Sequence, residues 1–226
     1  MTKAPQAGRV KTRLTPPLTP DEAAALNMCF LRDTARAISR ADARARGVGV
    51  YTPVGEESAY RDILPGDFYL IPQRGDSFGE RLSHAAEDLL GVGFAACCLI
   101  DSDSPTATAE AFRRATDELL RDDERIVIGP SDDGGYCLIG MKRLHTRLFE
   151  EIDWSTEHVL AQTIARAREI GIEAVMLPTF YDIDDRKTLC RLCSDLFEHG
   201  NEDAPATKQF LRELIEREGR ERIWPQ

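Results

Sequence analysis

A chain of 226 residues, 42% hydrophobic and 30% charged, is long enough for one α/β domain with a full core and has the make-up of a soluble globule. Its formal net charge of -10 argues against a general nucleic-acid binder, which needs a basic face. No run is apolar for long enough to cross a membrane and the start carries no signal-peptide pattern, so a cytoplasmic protein with no membrane partner is expected.

In chain order, the first twenty residues carry Lys3, Arg9, Lys11 and Arg13 and no acid, in an otherwise acidic protein. Positive charge with Pro5 and Gly8 in a short loop suits a polyphosphate, with Lys as point charge and Arg as planar fork. A solvated basic terminus is the plainer alternative. A parallel α/β domain normally opens with a buried strand before such a loop, and here Met1 is followed at once by the loop. The expectation is that an apolar strand lies upstream in the gene, or that another segment or chain fills its place.

Thr19-Pro20-Asp21-Glu22 predicts a helix start, and Ala24, Met28, Leu31, Ala35 and Ile38 follow at helical spacing. Residues 47–51 and 68–71 read as strands. Gln73-Arg74-Gly75-Asp76 then leads into a second capping box, Ser77 and Glu80, with Phe78, Leu82, Ala85 and Leu89 as the buried stripe. A nucleotide base or phosphate fits such a strand-to-helix turn, which makes Gln73 and Asp76 candidates.

The continuous apolar run 94–100 suits a central parallel strand covered on both faces, and it ends in Asp101-Ser102-Asp103-Ser104-Pro105. Ligands of open α/β sheets bind beyond the carboxyl ends of strands. Residues two apart on an extended chain share a side, so Asp101 and Asp103 can face one site. Hard carboxylate oxygens suit Mg²⁺ or Mn²⁺ bridging a diphosphate, with Asp101 alternatively touching the ribose. The plainer reading is a turn with a helix cap at Ser104. A helix carrying Phe112, Ala115 and Leu119 follows.

A strand over 125–128 runs into Gly129-Pro130-Ser131-Asp132-Asp133-Gly134-Gly135, and 136–141 reads as a strand returning the other way. Asp133 could hold sugar hydroxyls or orient an acceptor; a tight hairpin turn explains the same residues without a ligand. A helix over about 155–170, a strand near 173–177 and a helix started by Asp184 or Asp185 complete the alternation. Asp184 is a candidate second metal ligand or a plain N-cap. The stretch from about Ala204 is expected as a surface helix and frayed tail. The six cysteines read as reduced core residues, since Cys190 and Cys193 have no second pair or nearby histidine to complete a zinc site. P-loop, Rossmann and nucleophilic-triad motifs are absent from the sequence.

Six ordered motifs occur: Lys3-x-Pro5-x-x-Gly8-x-x-Lys11-Thr12-Arg13-Leu14, then Gln73-x-Gly75-Asp76-x-x-Gly79-Glu80-Arg81-Leu82, then Asp103-Ser104-Pro105. Gly129-Pro130-x-x-Asp133-Gly134-Gly135-Tyr136-x-Leu138-Ile139-Gly140, Trp154-Ser155-Thr156 and Asp182-x-Asp184 follow. Together they resemble a bacterial family of glycosyltransferase-A-like proteins, some linked with arsenosugar biosynthesis. The chain is more distantly similar to the guanylyltransferases of molybdenum-cofactor and phospholactate metabolism. The resemblance implies a three-layer α/β/α nucleotide-diphospho-sugar-transferase (GT-A-like) fold with a mixed, mostly parallel sheet over residues 1–200, and a C-terminal helix and tail over 201–226. It implies Lys3, Gly8, Lys11 and Arg13 at the phosphates, Gln73, Asp76 and Asp101 near the nucleotide, Asp103 and Asp184 on Mg²⁺ or Mn²⁺, and Asp133 toward sugar or acceptor. The partners implied are a nucleotide sugar or NTP and a small-molecule acceptor, with an oligomer allowed. Two departures stand out: the family's opening apolar strand is missing here, and the start of the helix after Asp184 is altered.

The reaction expected first is metal-dependent glycosyl transfer from a nucleotide-diphosphate sugar. Nucleotidyl transfer with release of pyrophosphate is the alternative, and a non-catalytic nucleotide-binding protein is the third reading.

Overall fold

The computed structural model describes residues 1–42 and 44–225. Its strands are β1 (Thr2–Lys3), β2 (Val48–Thr52), β3 (Tyr69–Pro72), β4 (Cys97–Ile100), β5 (Arg125–Pro130), β6 (Tyr136–Met141) and β7 (Glu173–Met176). Its helices are α1 (Pro20–Ala41), α2 (Phe78–Gly91), α3 (Ala109–Leu119), α4 (Val159–Glu169), α5 (Arg186–Phe197), α6 (Pro205–Glu218) and α7 (Arg220–Ile223). Both predicted capping boxes form. The Thr19 hydroxyl accepts from Glu22 N–H while Glu22 accepts from Thr19 N–H, and Ser77 and Glu80 do the same for α2.

The fold is α/β, with parallel-rich mixed sheets between helices. The strands fall into two sheets, β1-β2-β3 and β4-β6-β5-β7. The first is wholly parallel; in the second only β6 runs against its neighbours. β4, β5 and β7 therefore end at one edge. Their side chains alternate between two helical layers. Cys97, Leu99, Ile126 and Ile128 pack with Leu82, Ala85 and Leu89 of α2 and Ala167 of α4. Cys98, Ile100 and Val127 pack with Ala37 and Ala41 of α1 and Phe112, Ala115 and Leu119 of α3. Cover on both faces is why these strands read as unbroken apolar runs.

β1 is only two residues long, and its bonds to β2 stop at Thr2. The Met1 amine donates to Ile100 O at 2.5 Å, which links the two sheets at one end. Beyond it lies an apolar cleft of about 430 Å³ between β2 and β4.

Three boundaries differ from expectation. The helix after Asp103 starts at Ala109, capped by the Thr108 hydroxyl, and Ser104 is a buried residue bonded elsewhere. The helix expected from about 155 starts at Val159, because Ser155 takes a left-handed backbone and breaks the run. The C-terminal stretch is not a surface helix with a frayed tail. Leu211, Leu214, Ile223 and Trp224 join Leu26 and Phe30 of α1 and Leu189, Leu192 and Leu196 of α5 in one core. Asp33 of α1, 1% exposed, accepts from the N–H groups of Ala206 and Thr207 at 2.9 and 2.8 Å and so caps α6.

Asp33→Ala leaves two buried N–H groups unpaired. It is expected to lower stability by about 2 kcal/mol in chemical denaturation, with Asp33→Asn losing less. Equal stability of Asp33→Ala and the parent chain would show that the C-terminal helices are not anchored this way.

Candidate active site

β1 runs into a loop that ends in a 3-10 turn, Thr12–Leu14. Leu14 is fully buried and Leu18 nearly so, which pins the loop against the α1–α5 core. Gly8 and Lys11 take left-handed backbones, φ 72° and 48°. For a lysine that conformation costs roughly 1 kcal/mol, so something must hold it. The Lys11 side chain, 5% exposed, turns inward. Its Nζ donates to Ile183 O at 2.8 Å and lies 2.8 Å from Asp103 Oδ1 and 3.1 Å from Asp184 Oδ1, with the Phe30 ring 5.6 Å away. Burial alone would lower its pKa; Asp103 and then Asp184 reverse this, and the net shift is upward.

The carboxylates come from two strand ends. After β4, Asp101 keeps its N–H on Cys137 O, and its carboxylate accepts from Asp103 N–H at 3.1 Å. After β7 the chain runs along the tip of β5: Phe180 N–H donates to Pro130 O, and Asp132 N–H to Phe180 O. Ile183 N–H then donates to Asp103 O at 2.9 Å, which locks the Asp182–Asp184 segment against the end of β4. Asp182 accepts from the Ser104 and Ser131 hydroxyls. Burial, followed by Asp182 and Asp103, pushes the Asp101 carboxyl well above the usual range. Burial, with Asp103, Asp133 and Asp184 adding repulsion, pushes Asp182 up to about 6.

Of the residues marked from the sequence, Lys11, Asp101, Asp103 and Asp184 are therefore brought together. Asp133 is near enough to act on Asp182, and its Oδ1 accepts from Gly135 N–H at 2.9 Å in the turn between β5 and β6. That turn needs Gly134: φ is 91°, and a Cβ would lie 2.3 Å from Glu157 O. Lys3 and Arg13 are exposed on either side of the buried Lys11. Gln73 points elsewhere, its amide donating to Thr2 O and Val50 O and tying β1 to β2. Asp76 contributes its backbone, with its N–H on Glu80 Oε2 as part of the α2 start. Sequence reasoning passed over Asp182, Ser104 and Ser131. The spacing Asp182-x-Asp184 was the available signal, since residues two apart on an extended segment share a side.

The resemblance drawn from the sequence motifs implies a divalent cation at this site. Asp103 and Asp184 converge on one point with hard oxygens, the donor type that Mg²⁺ and Mn²⁺ take. Among the described residues no group of three or more His, Cys, Asp or Glu surrounds a single point. The set fits a site of two carboxylates completed by substrate phosphates and water, not a closed protein cage. In this structure the Lys11 ammonium holds that point.

Lys11→Met removes the cation and leaves the carboxylates to repel one another. Because Asp103 and Asp184 are 40% and 48% exposed, the expected loss is a screened one of about 1–2 kcal/mol. Adding Asp103→Asn should restore part of it, with a coupling of at least about 0.5 kcal/mol in a double-mutant cycle. Additive losses would mean the pair contributes nothing.

Comparison with solved structures gives a match over 96% of this chain and 95% of the other, at 27% identity and a TM-score of 0.81. That protein, from Desulfovibrio desulfuricans G20, is described as a "putative nucleotide-diphospho-sugar transferase". CMP:2-keto-3-deoxy-manno-octonic acid synthetase complexed with CTP matches at 10% identity and TM-score 0.53, over 75% of this chain and 88% of that one. A cytidylyltransferase from Leptospira borgpetersenii matches at 12% and 0.52, over 87% and 86%. These two share the fold alone. No functionally curated protein matches the sequence. A family profile described as "uncharacterized protein conserved in bacteria" (DUF2064) matches residues 34–156, more than half of the chain, and the chain belongs to that family.

Proposed function

We propose that this chain is a glycosyltransferase that uses a nucleotide-diphosphate sugar, Mg²⁺ or Mn²⁺ and a small-molecule acceptor in the cytoplasm. The observation that carries the reading is the meeting of Lys11 with Asp103 and Asp184 at the carboxyl ends of β4 and β7, beside a basic loop. The likeness over almost the whole length to a protein described as a nucleotide-diphospho-sugar transferase supports it.

In this reading Lys11, with Lys3 and Arg13 at the rim and Gly8 giving the loop its turn, neutralises the diphosphate. Asp103 and Asp184 hold the divalent ion, whose chemistry is to stabilise charge on the departing diphosphate. Asp101 faces the nucleotide ribose. Asp133 orients the acceptor hydroxyl and takes its proton. The bond from the sugar anomeric carbon to the phosphate oxygen breaks, the acceptor oxygen bonds to that carbon, and a nucleoside diphosphate leaves.

The chain is to be incubated with nucleotide sugars, with NTPs, and with a panel of acceptors in Mn²⁺. Release of nucleoside diphosphate from a nucleotide sugar is expected, and EDTA should stop it. Asp103→Asn should keep the fold by circular dichroism and lose on the order of 100-fold in turnover. Pyrophosphate release from an NTP would overturn glycosyl transfer in favour of nucleotidyl transfer. Undiminished turnover by Asp103→Asn would remove Asp103 from the site.

A further inference from the structure

Phe78 heads a stripe along α2 that the sequence marks as buried. Its other members, Leu82, Ala85 and Leu89, are buried, yet the Phe78 ring is 49% exposed. It meets Trp154 at a centroid distance of 5.0 Å and an interplanar angle of 77°, an edge-to-face pair. Trp154 in turn stands edge-on to Tyr136, at 6.5 Å and 78°. Tyr136 packs against the core, so the three rings form a ladder from the interior to the surface with Phe78 as the outer rung.

The ladder is held in place. A Cβ on Gly79 would lie 2.6 Å from Phe149 O and 3.0 Å from Trp154 Nε1, so only glycine lets α2 come this close to the indole. Ser155 takes a left-handed backbone, φ 66°. The surrounding bonds hold that strain: the Thr156 hydroxyl donates to Asp153 O at 2.7 Å, and Asp153 N–H donates to Gln162 Oε1 at 2.8 Å. Among the described residues nothing accepts from the indole N–H of Trp154.

The same segment packs on the turn that carries Asp133. Glu157 lies against Gly134, and Leu160 N–H donates to Gly134 O at 2.9 Å. A compound whose hydroxyl reaches Asp133 therefore has the aromatic wall beside it. An exposed phenyl face gains most from a flat apolar partner. A free indole N–H adds one donor, and an apolar wall with a few placed polar groups is the make-up of a small-molecule site. The carboxylates of Asp133 and Asp182 disfavour an anionic partner.

We propose that Phe78 and Trp154 form the acceptor subsite, and that the acceptor is a neutral ring compound bearing hydroxyls. It lays a carbon face on Phe78 and accepts from the Trp154 indole N–H. Calling this compound the acceptor rests on the transfer reading above; its binding at the two rings does not. A sugar and a phenol share this chemistry.

The test is a titration with methyl glucoside, with para-cresol and with open-chain sorbitol, followed through the indole N–H signals by nitrogen–proton correlation NMR. The chain has two tryptophans, and Trp154→Phe assigns their signals. Trp224, 8% exposed and packed on Phe197, is the internal reference. At least one ring compound should shift the Trp154 signal to saturation and leave Trp224 in place, while sorbitol shifts neither. The ring compound that binds more tightly assigns the source, sugar or arene. Phe78→Ala, which leaves the Ser77–Glu80 capping box intact, should weaken that binding at least about threefold, with Phe78→Leu in between. Silence at Trp154 with both ring compounds, an equal shift with sorbitol, or full binding by Phe78→Ala would overturn the proposal. Ring binding without transfer from any nucleotide sugar would uphold the subsite and refute the transfer reading. Transfer to an acceptor that leaves Trp154 silent would do the reverse.

Discussion

One buried ammonium organises the acidic edge of this protein. Lys11 lies between Asp103 and Asp184, residues from the ends of two strands, and its own loop comes from a third. Without a cation at that point, Asp101, Asp103, Asp182 and Asp184 would face one another in a partly buried space. Burial first, and the neighbouring carboxylates after it, push up Asp101 and Asp182, the two that Lys11 does not touch. The left-handed backbone at Lys11 is the local cost of aiming its side chain inward.

The fold makes that arrangement possible by ending β4, β5 and β7 at the same edge. Each strand delivers an acidic segment there, and backbone bonds between segments fix their spacing. Ile183 N–H on Asp103 O joins the β7 side to the β4 side, and Phe180 N–H on Pro130 O joins it to β5. Charges held by backbone are pre-organised: they need little rearrangement to meet a polyphosphate and its counter-ion. In the function proposed, an external cation would take the place of the Lys11 ammonium between Asp103 and Asp184, and the lysine would pair with phosphate.

Much of the fold was legible because the signals are local. Thr19 with Glu22 and Ser77 with Glu80 mark helix starts within four residues, and the apolar runs ending at Ile100 and Ile128 mark strands buried on both faces. The errors fall where the deciding contact is remote. Ser104 looked like a cap but bonds Asp182, 78 positions away, and α3 is capped by Thr108 instead. The C-terminal helix looked like a surface helix because its partner, Asp33, is 173 positions earlier. The site followed the same rule. Motifs marked Lys11, Asp103 and Asp184, but only the tertiary structure shows that the lysine sits on the two aspartates, that Gln73 is bound to backbone, and that Asp182 is held by Ser104 and Ser131.

The central claim is that the Lys11–Asp103–Asp184 cluster is a diphosphate site. It is tested most directly by calorimetric titration of the parent chain and of Lys11→Ala, in Mg²⁺, with a nucleoside diphosphate and with the matching nucleoside. A diphosphate contact predicts that Lys11→Ala loses at least about tenfold in affinity for the diphosphate, the scale of one charge-assisted contact, while its affinity for the nucleoside is unchanged. Equal losses for the two ligands, or no loss for either, would contradict it.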